Sequence, residues 1–154
     1  MMLTLSLNML VANALANAND NHPVSAEQIE QCLQDTTIKS ESCIPKFLNL
    51  CLEVPENQST FGMVSCYQQS EKIWDILLNK YYQLLQKNLD PNLQQSLKNT
   101  QLAWITYKEK TCQFEYDLWG NGSMRHTAAA ECLLRETSSR TIELYGIYAN
   151  SGLF

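Results

Sequence analysis

Residues 101–140 read QLAWITYKEKTCQFEYDLWGNGSMRHTAAAECLLRETSSR, and this stretch decides the fold. Its apolar spacing predicts one helix that ends near Trp119, then a turn, then a second helix that runs back. Gly120 and Gly122 interrupt the helical pattern, and glycine adopts the positive φ angles of turns at little cost. Ser123 follows at the position of a helix N-cap, where its side chain is expected to accept a backbone N–H.

Two cysteines flank this turn symmetrically. Cys112 lies ten residues before Gly122, and Cys132 lies ten residues after it. Positions equidistant from the turn are neighbours in an antiparallel helix pair, so the spacing predicts a disulfide between Cys112 and Cys132.

The other four cysteines also flank predicted breaks between helices. Cys32 and Cys43 lie on either side of one break, and Cys51 and Cys66 lie on either side of the next. We therefore predict consecutive pairing, although four cysteines allow three connectivities. None of the six forms a CxxC pair, which disfavours zinc and thioredoxin-like sites. An even number of widely spaced cysteines is typical of disulfides in an oxidising compartment.

The amino-terminal segment indicates the same compartment. Residues 1–18 carry no charge, are rich in apolar side chains, and contain overlapping small-x-small patterns up to Ala18. We interpret them as a secretory signal peptide cleaved near Ala16 or Ala18, although no Lys or Arg precedes the apolar run. No later segment reaches the length of a membrane span. The mature chain is expected to be periplasmic or secreted.

Hydrophobic periodicity predicts an all-α domain over residues 25–148, a disulfide-stapled helical bundle with three long helices and two short amino-terminal helices. The predicted helices cover, in chain order, residues 25–34, 44–52, 60 or 65 to 87, 91–119 and 123–148. Asp90 is the expected N-cap of the fourth helix, with Pro91 at its first position. Residues 19–24 are expected to be a disordered lead-in and residues 149–154 a frayed tail.

The same periodicity assigns a buried face to each long helix. On the third helix, this face is Ile73, Trp74, Leu77, Leu78, Tyr81, Leu84 and Leu85. On the fourth, it is Leu93, Leu97, Trp104, Tyr107 or Lys108, and Thr111 or Cys112. On the fifth, it is Ala128, Cys132, Arg135 or Glu136, Ser139, Ile142, Tyr145 and Gly146.

Composition and the positions of the titratable residues disfavour several functional classes. Charged residues make up only 18% of the chain and the formal net charge is −5, which disfavours nucleic acid as a partner. The two histidines, His22 and His126, are too far apart in the sequence to build a catalytic or metal constellation. Glu115 and Asp117 are two residues apart on a helix and point to different sides. We expect a protein that is not an enzyme and that needs no metal or cofactor.

Several short motifs together resemble the lysozyme inhibitor LprI-like family. They are TFGMVSC at 60–66, WD at 74–75, LN at 78–79 with Tyr82, QLAWI at 101–105 with Cys112, GS at 122–123, CL at 132–133, and Thr137 with Arg140. The resemblance covers residues 28–146 and implies a small secreted or periplasmic helical domain with disulfides. The family takes its name from a lipoprotein that inhibits lysozyme, whereas this chain has no lipoprotein cysteine after its apolar run.

Four polar residues of these motifs are predicted to form a buried hydrogen-bond network between facing helices: Asp75, Asn79, Gln101 and Arg140. Asp75 is the nearest candidate counter-ion for Arg140. Glu136 and Glu143 remain alternatives, because both lie within helical reach of Arg140.

The resemblance also implies a protein partner, with lysozyme as the first candidate. An inhibitor must place hydrogen-bond donors and cations in the carboxylate-lined cleft of its target. The helix corner supplies such groups and is our predicted partner-binding site: Asn121, Gly122, Ser123, Arg125 and His126. The alternative is that this corner only turns the chain, in an envelope structural or interaction protein of unknown partner. An exposed aromatic patch, for example Phe114, Tyr116 and Trp119, would favour that alternative.

Overall fold

A computed structural model describes residues 24–152 of the 154-residue chain. These residues form five α-helices: α1 (Ala26–Gln34), α2 (Cys43–Leu52), α3 (Thr60–Asn88), α4 (Pro91–Leu118) and α5 (Met124–Asn150). Two short 3-10 helices lie between them, at Ser40–Ser42 and Pro55–Asn57. The described residues contain no strand, and the all-α prediction is confirmed. The predicted signal peptide and residues 19–23 of the predicted lead-in lie outside the described residues.

Side-chain caps explain where three of the helices begin. Ser25 and Gln28 form a capping box at the start of α1, in which each side chain accepts the other's backbone N–H. The Oδ1 atom of Asp90 accepts the N–H groups of the second and third residues of α4 at 2.9 and 3.1 Å. Ser59 accepts the N–H of Gly62, so α3 begins at residue 60, the earlier of the two predicted starts.

Three local predictions are wrong. Ser123 does not cap α5 through its side chain, because its backbone is already helical (φ −62°, ψ −26°) and a cap needs an extended conformation. Val24, expected in the lead-in, is 6% exposed and belongs to the core. Helix α5 continues to Asn150, so residues 149 and 150 are helical rather than frayed.

The centre of the fold is the long contact between α3 and α5, and α1 and α2 cover α3. The predicted stripe of α3 is buried, except that Leu84 is only half-buried. The prediction for α5 is wrong for most of its face. The side chains that α5 buries are Thr127, Ala130, Cys132, Leu134, Thr137, Ser138, Arg140, Thr141 and Leu144.

Helix α4 packs on α5 and scarcely touches α3. Among its residues, only Gln101 and Cys112 are buried, while Leu93 and Tyr107, both placed on the predicted inner face, are 51% and 56% exposed. With one neighbouring helix to pack against, α4 can bury only a narrow strip. This leaves open space between α4 and α3, where a groove forms.

Three disulfides connect neighbouring elements, and they pair the cysteines consecutively, as predicted. Cys32 and Cys43 join α1 to α2, and Cys51 joins α2 to Cys66 of α3. The third, between Cys112 and Cys132, joins α4 to α5. In residues 24–152, no helix combines the length and the hydropathy that a membrane-spanning segment requires.

Candidate functional site

The turn between α4 and α5 ends a helical hairpin that the Cys112–Cys132 disulfide fastens near its tip, with a Cα–Cα distance of 5.4 Å. Gly120 adopts φ +52°, a left-handed conformation that favours glycine. Its N–H donates to Asp117 O at 3.0 Å, and the N–H of Gly122 donates to a carbonyl at 2.9 Å. The glycine-turn prediction is therefore confirmed at Gly120, whereas Gly122 needs no positive φ.

The guanidinium and the imidazole predicted at this corner are held against an aromatic ring. The guanidinium carbon of Arg125 lies 3.9 Å from the ring centroid of Tyr116, and the His126 ring meets the same ring edge-on at 5.3 Å. Arg125 is half-buried, and its Nε atom is buried without a hydrogen-bond partner. His126 is exposed. Arg125 thus folds back on α4 and does not project from the tip.

What the hairpin end presents to solvent is largely apolar. We call the following residues the tip patch: Phe114, Leu118, Trp119 and Met124, which are 61%, 66%, 52% and 36% exposed. Phe114 and Leu118 are four residues apart and share one face of α4. Asn121, Gly122 and Ser123 are exposed beside them. The predicted site residues are therefore brought together at one end of the molecule, next to apolar side chains.

A second feature is the groove between α3 and α4, with a volume of about 400 Å³. Its lining includes residues from three of the motifs quoted above: Asp75, Leu78, Asn79 and Tyr82 of α3, and Gln101, Leu102, Trp104 and Ile105 of α4. The groove exists because α4 packs on α5 and leaves the side of α3 that faces α4 uncovered. Motif residues of α3 and of α4, about 25 positions apart in the sequence, thus line the same groove.

The predicted network of four polar residues is instead two separate pairs. Arg140 donates from Nε to Oε1 of Gln101 at 3.0 Å, and both side chains are buried. Asn79 donates to the Asp75 carboxylate at 2.9 Å, within the exposed part of α3. The counter-ion of Arg140 is Glu143 at 2.7 Å. The prediction of Asp75 as counter-ion is wrong, because Glu143 reaches Arg140 along one helix without crossing an interface.

A polar cluster that the sequence analysis missed links α3, α4 and α5. Thr137, which is fully buried, donates to the Glu71 carboxylate at 3.0 Å, and Lys108 Nζ lies 3.4 Å from the Thr137 hydroxyl. Lys108 also lies 3.8 Å from Glu71 and 4.8 Å from the Trp104 ring centroid. The sequence signal for this cluster was Lys108, a charged residue at a position that the helical period assigns to the inner face of α4.

Within residues 24–152, no three side chains of His, Cys, Asp or Glu gather in an arrangement that could hold a metal ion. The groups collected at the hairpin tip and in the groove are hydrogen-bond donors, acceptors, aromatic rings and aliphatic side chains. Such groups recognise a partner by shape and hydrogen bonding.

Comparison with known families adds one finding. The family model described as "Lysozyme inhibitor LprI" matches residues 51–144, about three fifths of the chain. The match includes two of the three disulfides, the hairpin tip and the groove. No curated protein and no solved structure matches the chain.

Proposed function

The chain belongs to the lysozyme inhibitor LprI family, and from that premise we propose that it is an extracytoplasmic binding protein whose first partner to test is a lysozyme. It acts by protein–protein contact, without catalysis. Three disulfides suit a periplasmic or secreted location, because thiols stay reduced in the cytoplasm. The signal peptide over residues 1–18 is part of this proposal.

The observation that supports a binding surface at the tip, for a lysozyme or for another partner, is the exposed apolar tip patch on a cross-linked hairpin. Protein interfaces place aromatic and aliphatic anchors at their centre and polar groups at their rim. Trp119 and Leu118 are the anchors in this arrangement, and Asn121, Ser123 and His126 supply the rim. Arg125, stacked on Tyr116, holds positive charge close to the tip without projecting into solvent.

The Cys112–Cys132 disulfide supports the same assignment for an energetic reason. Binding has a cost in free energy when a loop must be ordered on contact, and a hairpin fixed in advance lowers that cost. The cross-link closes a segment of 20 residues that contains the whole tip. The tip therefore meets a partner as a preformed surface.

The test is inhibition of a c-type lysozyme acting on a suspension of bacterial cell walls. The tip variant replaces Leu118→Ser and Trp119→Ser, both exposed, so folding is preserved. The matched control replaces Phe61→Ser and Ile76→Ser, which are 84% and 59% exposed and lie on α3. We expect inhibition by the wild type and by the control, and a loss of about tenfold or more for the tip variant, as for interface anchors.

A second variant, Arg125→Ala with His126→Ala, isolates the contribution of the two basic side chains. A wild-type protein that leaves lysozyme fully active at micromolar concentration removes lysozyme as the partner. Equal loss from the tip and control variants removes the tip as the binding surface.

The second candidate function is an envelope structural or interaction protein without lysozyme inhibition. The exposed rings of Phe114 and Trp119 favour it, because exposed apolar patches mark interaction sites in general. Cross-linking through a photoreactive group at position 121 in envelope fractions distinguishes the two. A cross-linked envelope protein together with unaffected lysozyme supports this second function.

A further inference from the structure

A second cavity lies on the other boundary of α4, between the 3-10 helix Ser40–Ser42, α4 and α5, and its volume is about 500 Å³. Seven residues line it: Glu41, Trp104, Glu136, Ser139, Arg140, Ile142 and Glu143. It shares Trp104 with the groove but none of the tip residues. The family comparison and the proposed tip surface leave this cavity without a role.

The lining of this cavity carries excess negative charge. Three carboxylates, Glu41, Glu136 and Glu143, face one guanidinium, that of Arg140. Glu143 already pairs with Arg140 at 2.7 Å, which leaves Glu41 and Glu136 without a cation inside the cavity. Glu136 forms an ion pair at 3.3 Å with Arg135, a half-exposed side chain outside the cavity lining that lies closer to Glu115, at 2.6 Å. The cavity therefore favours a positively charged occupant.

Arg140 adds an independent requirement. Its side chain is 8% exposed, and its Nη2 atom is buried without a hydrogen-bond partner among the described residues. A buried donor left unpaired is costly, so a turn of the guanidinium that brings this atom against an acceptor of the occupant is favourable. The acceptor must be neutral or weakly charged in a cavity that otherwise repels anions. A peptide carbonyl meets that condition.

The remaining lining suits the stem of a long cationic side chain. Ile142 and the Trp104 ring are the apolar members. Trp104 already attracts one ammonium, that of Lys108 at 4.8 Å, and Lys108 lines the groove and not this cavity. Methylene groups pack against such surfaces while the charged end reaches carboxylates at the rim.

We propose that this cavity binds a lysine or arginine side chain carried on a peptide segment of a partner protein. The cationic end pairs with Glu41 and Glu136, the stem packs on Trp104 and Ile142, and the adjacent carbonyl accepts from Arg140 Nη2 after the guanidinium turns toward the cavity. The site goes beyond the proposed function, since it lies away from the tip and holds for any partner with an exposed basic residue.

The test is a nuclear magnetic resonance titration of the wild-type protein with N-acetyl-lysine N-methylamide. The three tryptophan indole N–H signals act as separate reporters, because Trp74 is 1% exposed in the core and Trp119 lies in the tip patch. We expect a saturable shift of the Trp104 signal alone. N-acetyl-norleucine N-methylamide, which has the same backbone without the charge, is expected to leave Trp104 unchanged. An unchanged Trp104 signal with the lysine ligand, or equal shifts with both ligands, overturns the proposal.

A pair of variants with equal net charge tests the carboxylates. Glu41→Gln with Glu136→Gln removes two charges from the cavity but retains the acceptor that Glu136 offers to Arg135. Glu53→Gln with Glu56→Gln removes two exposed charges elsewhere. Glu143 stays unchanged in both, because Arg140 depends on it. We expect about tenfold weaker lysine-ligand binding for the first pair and unchanged binding for the second. Equal weakening by both pairs means general electrostatic attraction and overturns the site.

Discussion

Arg140 of α5 and Gln101 of α4 meet in the interior, where Nε donates to Oε1 over 3.0 Å. Both residues are buried, at 7% and 8% exposure. Besides Cys112, Gln101 is the one buried residue of α4, and it lies about three helical turns from the cross-link. The pair therefore fixes how α4 lies on α5 at a point that the disulfide does not reach.

Replacement Arg140→Ala is expected to lower the free energy of unfolding by about 3 kcal/mol, because it leaves the buried Gln101 amide without its partner and empties packed space. The matched control is Arg135→Ala on the same helix. Its side chain is 47% exposed and pairs with Glu115 and Glu136 at the surface, so its loss is expected to cost below about 1 kcal/mol. Denaturant unfolding measures both, and equal losses would contradict this ranking.

Gly62 lies where the start of α3 closely approaches the backbone of the preceding 3-10 helix. A Cβ atom at this position would lie 2.4 Å from Cα of Asn57, in the 3-10 helix that precedes α3. Gly62→Ala is expected to destabilise the fold by about 3 kcal/mol, because two backbones must separate. Gly146→Ala is the control, since nothing lies within 4 Å of its Cβ position and alanine favours helix. It is expected to stabilise by about 0.5–1 kcal/mol. Thermal melts of the two variants should shift in opposite directions.

Tyr81 is buried and its hydroxyl donates to the Glu30 carboxylate at 2.6 Å. Burial raises the pKa of Glu30, but the hydrogen bonds from Lys80 and Tyr81 outweigh it, and that pKa lies below its ordinary value. Burial, with the adjoining carboxylate, raises the pKa of Tyr81, so the phenol stays protonated. A depressed carboxyl pKa stabilises the fold above the unfolded-state pKa, and this contribution is lost as the pH falls through the folded-state pKa.

Tyr81→Phe is therefore expected to cost about 1.5–2 kcal/mol at pH 7, and less as the pH falls below the ordinary glutamate pKa of about 4.3 and the Glu30 charge disappears. Tyr82→Phe is the matched control on the same helix, with an expected change within about 0.5 kcal/mol at every pH. Denaturant titrations at several pH values give both series. A Tyr81→Phe cost that does not vary with pH would contradict the role of the ionised carboxylate.

Removal of the hairpin disulfide, through Cys112→Ala with Cys132→Ala, is expected to lower the free energy of unfolding by about 3 kcal/mol in the chain-entropy model. Cys32→Ala with Cys43→Ala is the control, because it opens a comparable loop of 11 residues far from the tip. Partner binding, measured well below both melting temperatures, is expected to weaken only for the hairpin variant. Equal weakening would mean that binding follows global stability and not tip geometry.

Local signals were sufficient to predict the helices and their cross-links from the sequence. Asp90 with Pro91 and the glycine at position 120 act on the backbone where they stand, so helix ends follow from them. Where the chain reverses direction at a break between helices, the cysteines on either side of the break come close together. Consecutive pairing followed for the same reason.

The buried face of α5 escaped prediction because polar side chains make much of it. Thr141 is fully buried, yet its hydroxyl bonds to backbone carbonyls of Thr137 at 2.8 Å and of Trp74 at 3.1 Å. A hydropathy scale treats such residues as exposed, because it does not take into account the hydrogen bonds that their side chains form with the backbone. The predicted buried face of α5 was therefore rotated about the helix axis. The same error led to Asp75, and not Glu143, as the first candidate counter-ion of Arg140. The contact of Arg125 with Tyr116 depends on rotamers, for which the sequence holds no comparable signal.

Helix α4 contributes only two buried side chains among the residues that the structure describes. One disulfide and one buried polar pair hold it on α5, together with the polar contacts of Lys108 and Glu115. Most positions on its surface can therefore change by mutation without exposing the α3–α5 core. Substitutions can therefore remodel the outer face and the tip while the α3–α5 core stays the same. The cross-link thus allows the surface that meets a partner to evolve independently of the α3–α5 core.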